Sequence, residues 1–504
     1  MKQTTLNRLR KIAQTVIVLA VMVVFLTSIA RWGGNVASGP RLWLGLGLVI
    51  SLFIGYATLI WWLFASPLPA SRHAVQQSSR SPEIRQLAGL LVVLSGTYSL
   101  VGGVWDQGWH QLYGGFGDDF LWPPHFMLYA SFGLIFLFAG LAIWVIFKGK
   151  GGLRARFRSE PLLGFLGVVA TFILVSIPSD ILWHELYGVD ITGWSLPHVL
   201  LGFCFSMIMI AAIFLQRSLL PERTLLGWQG LRNLHVQEFL MILSIAIGIS
   251  GLVMVFAVDW DTIDHIVLVP SNAYEAAFWS RPIWLYTAIM AMLALFAGKF
   301  TLSIVRIAGS ASLMCLLVIG FRLAAVNILE STYPATHLLV THHWLLLAPC
   351  LVLDILYSRT NGQAIFDTNE NRPIVLKEKS ATQHPAYMPN IERVKYKIRY
   401  QWLIESSLAV LAFWLVGFPL IQATMIYPII SSPTIPSMVL TSLLFGAAGA
   451  WAGIQLGEWG KTFSHTYRAE NIAVRSWVNW AAFVALLISV VVSVTYMLTA
   501  KPPV

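Results

Sequence analysis

The chain has 504 residues, of which 57% are hydrophobic and only 11% charged, with a mean hydropathy of +0.71. That composition excludes an ordinary soluble domain and points to a polytopic membrane protein. The net charge of +10 calls for no nucleic acid, because the cations follow a topological pattern set out below.

Apolar runs long enough to cross a hydrocarbon layer of roughly 30 Å recur along the whole chain, whereas transmembrane strands would be about half as long and would alternate in polarity. The predicted fold is therefore all-α, a transmembrane helical bundle of about thirteen helices by this length criterion. The first run, 12–30, follows Lys2, Arg8, Arg10 and Lys11. Ser28 and Ala30 resemble a cleavage site, but the apolar stretch is longer than a usual signal peptide, so an uncleaved anchor is expected. With the run 42–66 it forms an N-terminal two-helix membrane segment, 1–86. The core, 87–357, holds the runs 87–105, 125–147, 161–183, 198–216, 236–258, 281–298, 301–321 and 336–357. Residues 358–400 are polar, rich in Lys and Arg, and read as a cytoplasmic linker. The C-terminal segment, 401–504, contributes the runs 401–423, 437–458 and 477–498.

With the N-terminus in the cytoplasm, nearly all of the 33 Lys and Arg fall on the inner side, Arg306 lying just inside the inner end of the ninth run. Only Arg31, Arg41, Arg281, Arg322 and Lys501 are left outside. The positive-inside rule thus orients the chain in a prokaryotic-type plasma or intracytoplasmic membrane. The cysteines, Cys204, Cys315 and Cys350, sit singly inside apolar runs and suggest neither a disulfide framework nor a thiolate motif.

Runs three to ten pair into four outward hairpins whose polar residues gather at the outer turn. In the first, WDQGWHQLYGGFGDDFLWPPH supplies Asp106, His110 and His125; in the second, SDILWHELYGVDITGWSLPH supplies Asp180, His184 and His198. The third repeats the spacing in WDTIDH with Asp261 and His265, but its return run opens Arg281-Pro282-Ile283 and brings no His. The fourth keeps Asn327, Glu330, His337, His342 and His343. The recurrence reads as an internal repeat.

On a helix, residues i and i+4 share a face, so Asp106 with His110, and Asp180 with His184, point at one spot. Pro124 and Pro197 suit a helix's first turn and place the following His beside the end of the outgoing helix. Two neutral imidazoles and a carboxylate suit Cu(II), Zn(II) or Fe(II), and three protein ligands leave a position open for water or substrate. Asp118, Asp119 and Asp190 are candidate outer acceptors that would orient an imidazole. A lone Asp-x-x-x-His at a membrane edge is ordinarily a hydrogen-bonded pair holding a loop; two complete copies favour metal. Asp261, His265, His337 and His342 are weaker metal candidates, and His342 and His343 fit packed, hydrogen-bonded roles. Trp109 and Trp183 read as interfacial anchors, and Trp105, Trp122 and Trp194 as an aromatic belt first and a substrate pocket second. Gly449, Gly453 and Gly457 predict close helix packing, within the bundle or against another subunit. Glu405 and Arg306 are among the few ionisable residues that this reading places deep in the bilayer.

These motifs resemble the C subunit of the copper membrane monooxygenases, the particulate methane and ammonia monooxygenases, over about residues 87–215. That subunit carries two successive triads, Asp-His-His and Asn-His-His. Asp106, His110 and His125 match the first; Asp180, His184 and His198 match the second with Asp in place of Asn. The resemblance implies copper, O2-dependent oxidation of a small apolar substrate, partner membrane subunits and an external electron donor. This chain departs from the family in its greater length, its further hairpins and its lack of a cupredoxin-like domain. No haem-attachment motif, dinucleotide fingerprint or P-loop occurs. Two other classes fit the same residues: a metal-handling protein for delivery, assembly or transport, and a structural subunit whose Asp/His pairs brace hairpins.

Overall fold

The computed structural model describes residues 20, 23–24, 26–28, 39–65, 81–113, 122–149, 151–187, 194, 196–220, 229–257, 283–332, 341–366, 402–417, 435–466 and 476–501. Every regular element among them is helical. In chain order they are α1 (Pro40–Ile60, extended by a π turn, Trp61–Ala65), α2 (Ser81–Tyr113), α3 (Pro123–Phe147), the short α4 (Leu153–Ser159), α5 (Pro161–Tyr187), α6 (Leu196–Ser218) and a single turn α7 (Gln229–Arg232). There follow α8 (Val236–Ala257), α9 (Ile283–Val305), α10 (Ser310–Thr332), the single turn α11 (Thr341–Trp344), α12 (Leu347–Phe366), α13 (Trp402–Gly417), α14 (Ile435–Thr466) and α15 (Ser476–Thr499).

Among the described residues, nine helices are long and apolar enough to cross a membrane, against the thirteen runs read from the sequence: α1, α2, α3, α5, α6, α8, α9, α10 and α14. Run 12–30 lies largely outside the described residues. Run 336–357 is divided between α11 and α12, and α13 and the apolar part of α15, Phe483–Thr499, are shorter.

The boundary between the eighth and ninth runs moves. Lys299 reads in sequence as a loop cation, but it lies inside α9, buried and paired with Glu405 of α13, which makes its burial tolerable. The turn comes later, where Arg306 (φ 65°) and Gly309 (φ 88°) take left-handed conformations. α10 therefore starts at Ser310, and Arg322, assigned to the outer side from its position after the ninth run, is buried inside the helix.

Lipid is as apolar as any core, so helix association in a membrane rests on close packing and polar contacts. Both are present. Gly449, Gly453 and Gly457 lie against α9: a methyl group on them would strike the Met292 carbonyl, the Phe296 carbonyl and the Ser303 side chain respectively. The glycine stripe is thus used inside the chain. Arg85 of α2 meets Glu160, just ahead of α5, at 2.8 Å with both side chains buried. Ser95 and Ser99 of α2 interlock with Ser131 of α3, the Ser95 hydroxyl donating to the Ser131 carbonyl at 2.6 Å.

Asp354 of α12 caps α10 from outside, accepting from the Gly309 and Ser312 amides, each at 2.7 Å, and from the Ser312 hydroxyl at 2.6 Å. Those amides are donors a helix start leaves unsatisfied, and the carboxylate complements the positive end of the helix dipole. The Cys350 thiol of α12 points at the Ala294 carbonyl of α9 at 4.0 Å, and all three cysteines are buried free thiols. Around this core, α1, α13 and α15 turn apolar side chains such as Trp43, Leu415 and Trp480 outward, as lipid-facing helices do.

Candidate functional site

α2 packs against α3, and α5 against α6. Asp106 lies seven residues before the end of α2, and Asp180 seven before the end of α5, so each carboxylate stands two turns below a helix terminus. In each return helix the His is the third residue: Pro123-Pro124-His125 opens α3 and Leu196-Pro197-His198 opens α6. Proline is cheap there because first-turn amides have no intrahelical acceptor. Trp122 supplies the extended residue ahead of α3 (φ −65°, ψ 146°), and its carbonyl accepts the first intrahelical bond, from the Phe126 amide at 3.2 Å.

This local structure sets each carboxylate beside the returning imidazole. His125 Nε2 lies 2.9 Å from Asp106 Oδ1, with the two side chains 18% and 21% exposed. His198 Nε2 lies 3.8 Å from Asp180 Oδ1, at 36% and 24%. Both pairs are partly sheltered. They differ in their outgoing helices, since α5 carries Pro178 two residues before Asp180. A proline inside a helix removes the bond to the carbonyl four residues back, here Leu174, and bends the helix. The second pair is the wider one.

His110 and His184 stand one turn beyond their Asp partners on α2 and α5, on the same helix face by register; their side chains lie outside the described residues. So do Asp261, His265, His337, Asp118, Asp119, Asp190 and the side chain of His342. Among the described residues no group of three or more His, Cys, Asp or Glu side chains converges. What the structure brings together is one carboxylate and one imidazole, twice.

The surroundings of the first pair correct the belt reading. Trp105, Trp109 and Trp194 are fully buried and Trp183 nearly so, and none of the four faces lipid. Trp105 meets Trp109 edge-on at 5.3 Å between ring centroids, and Trp109 meets Trp122 at 5.8 Å. Tyr496 of α15 closes on Trp105 at 5.3 Å, with Met497 and, from α10, Val326 and Leu329 completing the cluster. Gly108 makes room for Leu329, which would lie 3.1 Å from a β-carbon placed there. Tyr129 lies 6.1 Å from the His125 ring, centroid to centroid. Trp194 donates from Nε1 to the Phe256 carbonyl at 3.2 Å, and Trp183 packs on Gly45 of α1. Nothing local in the sequence marks Tyr496, Met497, Val326 or Leu329 as neighbours of Asp106, because each arrives from a helix far along the chain.

The spacing can be compared with the chemistry. Nitrogen and oxygen ligands sit about 2.0–2.2 Å from a first-row divalent ion, so two adjacent ligands on one ion stand roughly 2.9–3.4 Å apart. The first pair has that separation and the second exceeds it slightly. An imidazole hydrogen-bonded to a carboxylate has the spacing of the first pair, whereas the 3.8 Å of the second lies beyond a hydrogen bond. No family model, curated protein or solved structure matches the chain.

Proposed function

We propose that the chain is an integral membrane metalloprotein with two mononuclear sites, Asp106/His110/His125 and Asp180/His184/His198, at the outer ends of two helix pairs. The carrying observation is the duplicated Asp–His approach, 2.9 and 3.8 Å, made by residues in matching helix positions. Copper fits the donor set, with zinc or iron as alternatives. A copper ion held here would supply oxygen reduction at a position left open by three protein ligands. The chain's own part is to hold two imidazoles and one carboxylate per site, to balance charge through Asp106 and Asp180, and to exclude water from the first site with Trp105, Trp109 and Trp122.

On this reading the hairpins are copies of one unit, the N-terminus is cytoplasmic, the sites face outward, and a small apolar substrate reaches them from the bilayer. The resemblance to the copper membrane monooxygenase C subunit supports oxidation of that substrate within a complex of membrane subunits, with electrons from an external donor. A second reading, in which the pairs brace the hairpins, is favoured by the hydrogen-bond spacing of Asp106 and His125.

The test is metal analysis of the purified full chain extracted without chelator. The metalloprotein reading expects two equivalents, falling to one in either His125→Asn or His198→Asn. Metal-free wild-type protein would leave bracing as the better account. Substrate-dependent O2 uptake by the native complex, against loss of metal from a partner oxidase when the chain is deleted, separates oxygenation from metal handling.

A further inference from the structure

The link from α3 to α5 begins about 35 Å along α3 from His125, at the end of the bundle opposite the Asp–His pairs. Residues 148–159 read KGKGGLRARFRS, with five cations and no carboxylate, and the acid that follows, Glu160, is buried against Arg85. α4 lies inside this link and packs on the ends of α1, α3 and α5. Phe157 pins it, edge-on to Phe64 at 6.3 Å between ring centroids. Arg154 and Arg158 share the face toward α1: the Arg154 guanidinium stands 5.2 Å from the Trp62 ring centroid, and Arg158 Nε donates to the Leu63 carbonyl at 2.7 Å. Arg156 points away from them, its Nε donating to the Gly151 carbonyl at 2.7 Å and its Nη1 to the carbonyl of Phe147, the last residue of α3, at 3.1 Å.

Those two bonds tether the guanidinium at the carbonyl that precedes Lys148, whose ammonium sits 3.5 Å from the Trp144 ring centroid. They use two of the five N–H donors of Arg156; the other three, and the three of Lys148, have no hydrogen-bond partner among the described residues. Leu137, Leu141, Trp144 and Lys148 follow one stripe of α3, at i, i+4, i+7 and i+11, and its three apolar members are 57%, 42% and 53% exposed. On a helix long and apolar enough to cross a bilayer, such a stripe faces acyl chains. A ligand that fits this surface is apolar along about 10 Å of helix and anionic where the stripe ends. A phosphodiester offers charged acceptor oxygens to both cations, and a lipid supplies the apolar part. A zwitterionic headgroup would bring its own cation among five others with no carboxylate to receive it, so the lipid carries net negative charge, as phosphatidylglycerol does. We infer that Lys148 and Arg156 bind the headgroup phosphate of an anionic phospholipid whose acyl chains lie along Leu137, Leu141 and Trp144.

The experiment titrates the full chain, purified in a nonionic detergent, with phosphatidylglycerol, phosphatidylcholine or soluble glycerol phosphate while thermal unfolding is followed. Phosphatidylglycerol is expected to raise Tm saturably, by several degrees more than phosphatidylcholine, and glycerol phosphate to leave it unchanged, since a ligand that binds only the folded state stabilises it by mass action. Lys148→Gln and Arg156→Gln are each expected to raise the half-saturating phosphatidylglycerol concentration about tenfold, the effect of losing one charge-assisted hydrogen bond. Lys148→Gln leaves the two tethers of Arg156 intact, so it decides alone if Arg156→Gln does not fold. Arg359→Gln removes an exposed cation from α12 and is expected to leave the half-saturating concentration as in wild type. Equal stabilisation by the two lipids would overturn the anionic headgroup, and an equal response to glycerol phosphate would make the ligand a free phosphate and overturn the lipid. A half-saturating concentration unmoved in Lys148→Gln and Arg156→Gln, or moved as far in Arg359→Gln, would overturn the location.

Discussion

Replacing Gly453 by Ala tests how the bundle is held together. A β-carbon on Gly453 would overlap the Phe296 carbonyl of α9 and lie 2.9 Å from the Phe300 amide nitrogen. Both are backbone atoms, so no rotamer change relieves the clash and the helices must separate. Insertion of one methyl group into a full interface costs about 1–3 kcal/mol, and backbone contacts place this case at the upper end. Separation also loosens the contacts at Gly449 and Gly457, and a gap of about 0.5–1 Å forfeits a quarter to a half of each dispersion contact. The expected loss is about 3 kcal/mol, more than a hundredfold in the folding equilibrium.

Gly133 and Gly140 of α3 provide the control. Nothing lies within 4 Å of a β-carbon at either position. There Ala gains helix propensity and restricts the unfolded chain, for an expected gain of about 0.5–1 kcal/mol. The assay is reversible unfolding of the full chain in mixed micelles titrated with denaturing detergent, with Gly453→Ala, Gly133→Ala and wild type compared side by side. Close backbone approach would be refuted as the cause of α9–α14 association if Gly453→Ala and Gly133→Ala had the same stability within error.

Other perturbations give separate readings. Arg85→Leu or Glu160→Leu alone leaves an uncompensated buried charge and is expected to cost about 3–5 kcal/mol, while the double substitution costs less than either; a double-mutant cycle in the same assay measures this. Asp354→Asn keeps one acceptor oxygen where two serve now, so a loss of about 1–3 kcal/mol is expected, with faster hydrogen exchange at Gly309 and Ser312. Tyr496→Ala removes the ring closing on Trp105 and is expected to speed amide exchange over the last turns of α15 about tenfold or more, leaving α3 unaffected.

Much of the architecture was legible because the bilayer imposes it: long apolar runs had to be helices, and α2, α3, α5, α6 and α8 stand where the runs placed them. The juxtaposition of Asp106 with His125 was legible from helix period and first-turn proline, both local rules. The α9–α10 turn was not. Lys299 resembles a loop cation until Glu405, more than a hundred residues later, supplies its counter-charge, and the left-handed Arg306 breaks a run that hydropathy leaves continuous. The buried tryptophans were misjudged for a related reason. Composition places Trp at an interface, but whether Trp105 meets lipid or Tyr496 depends on where α15 docks. Arg322 was assigned outside because an apolar run that starts nine residues too early also ends too early.

Pro178 makes the two Asp–His pairs mechanically unequal. The arm that carries Asp106 is an unbroken rod with one resting length, whereas the arm that carries Asp180 has a joint one half-turn below the carboxylate, where a rung of the hydrogen-bond ladder is missing. A jaw with a fixed gape selects its contents by radius; a jointed one adjusts to them. Under the metal-binding proposal, the first pair discriminates among ions and the second exchanges them more freely.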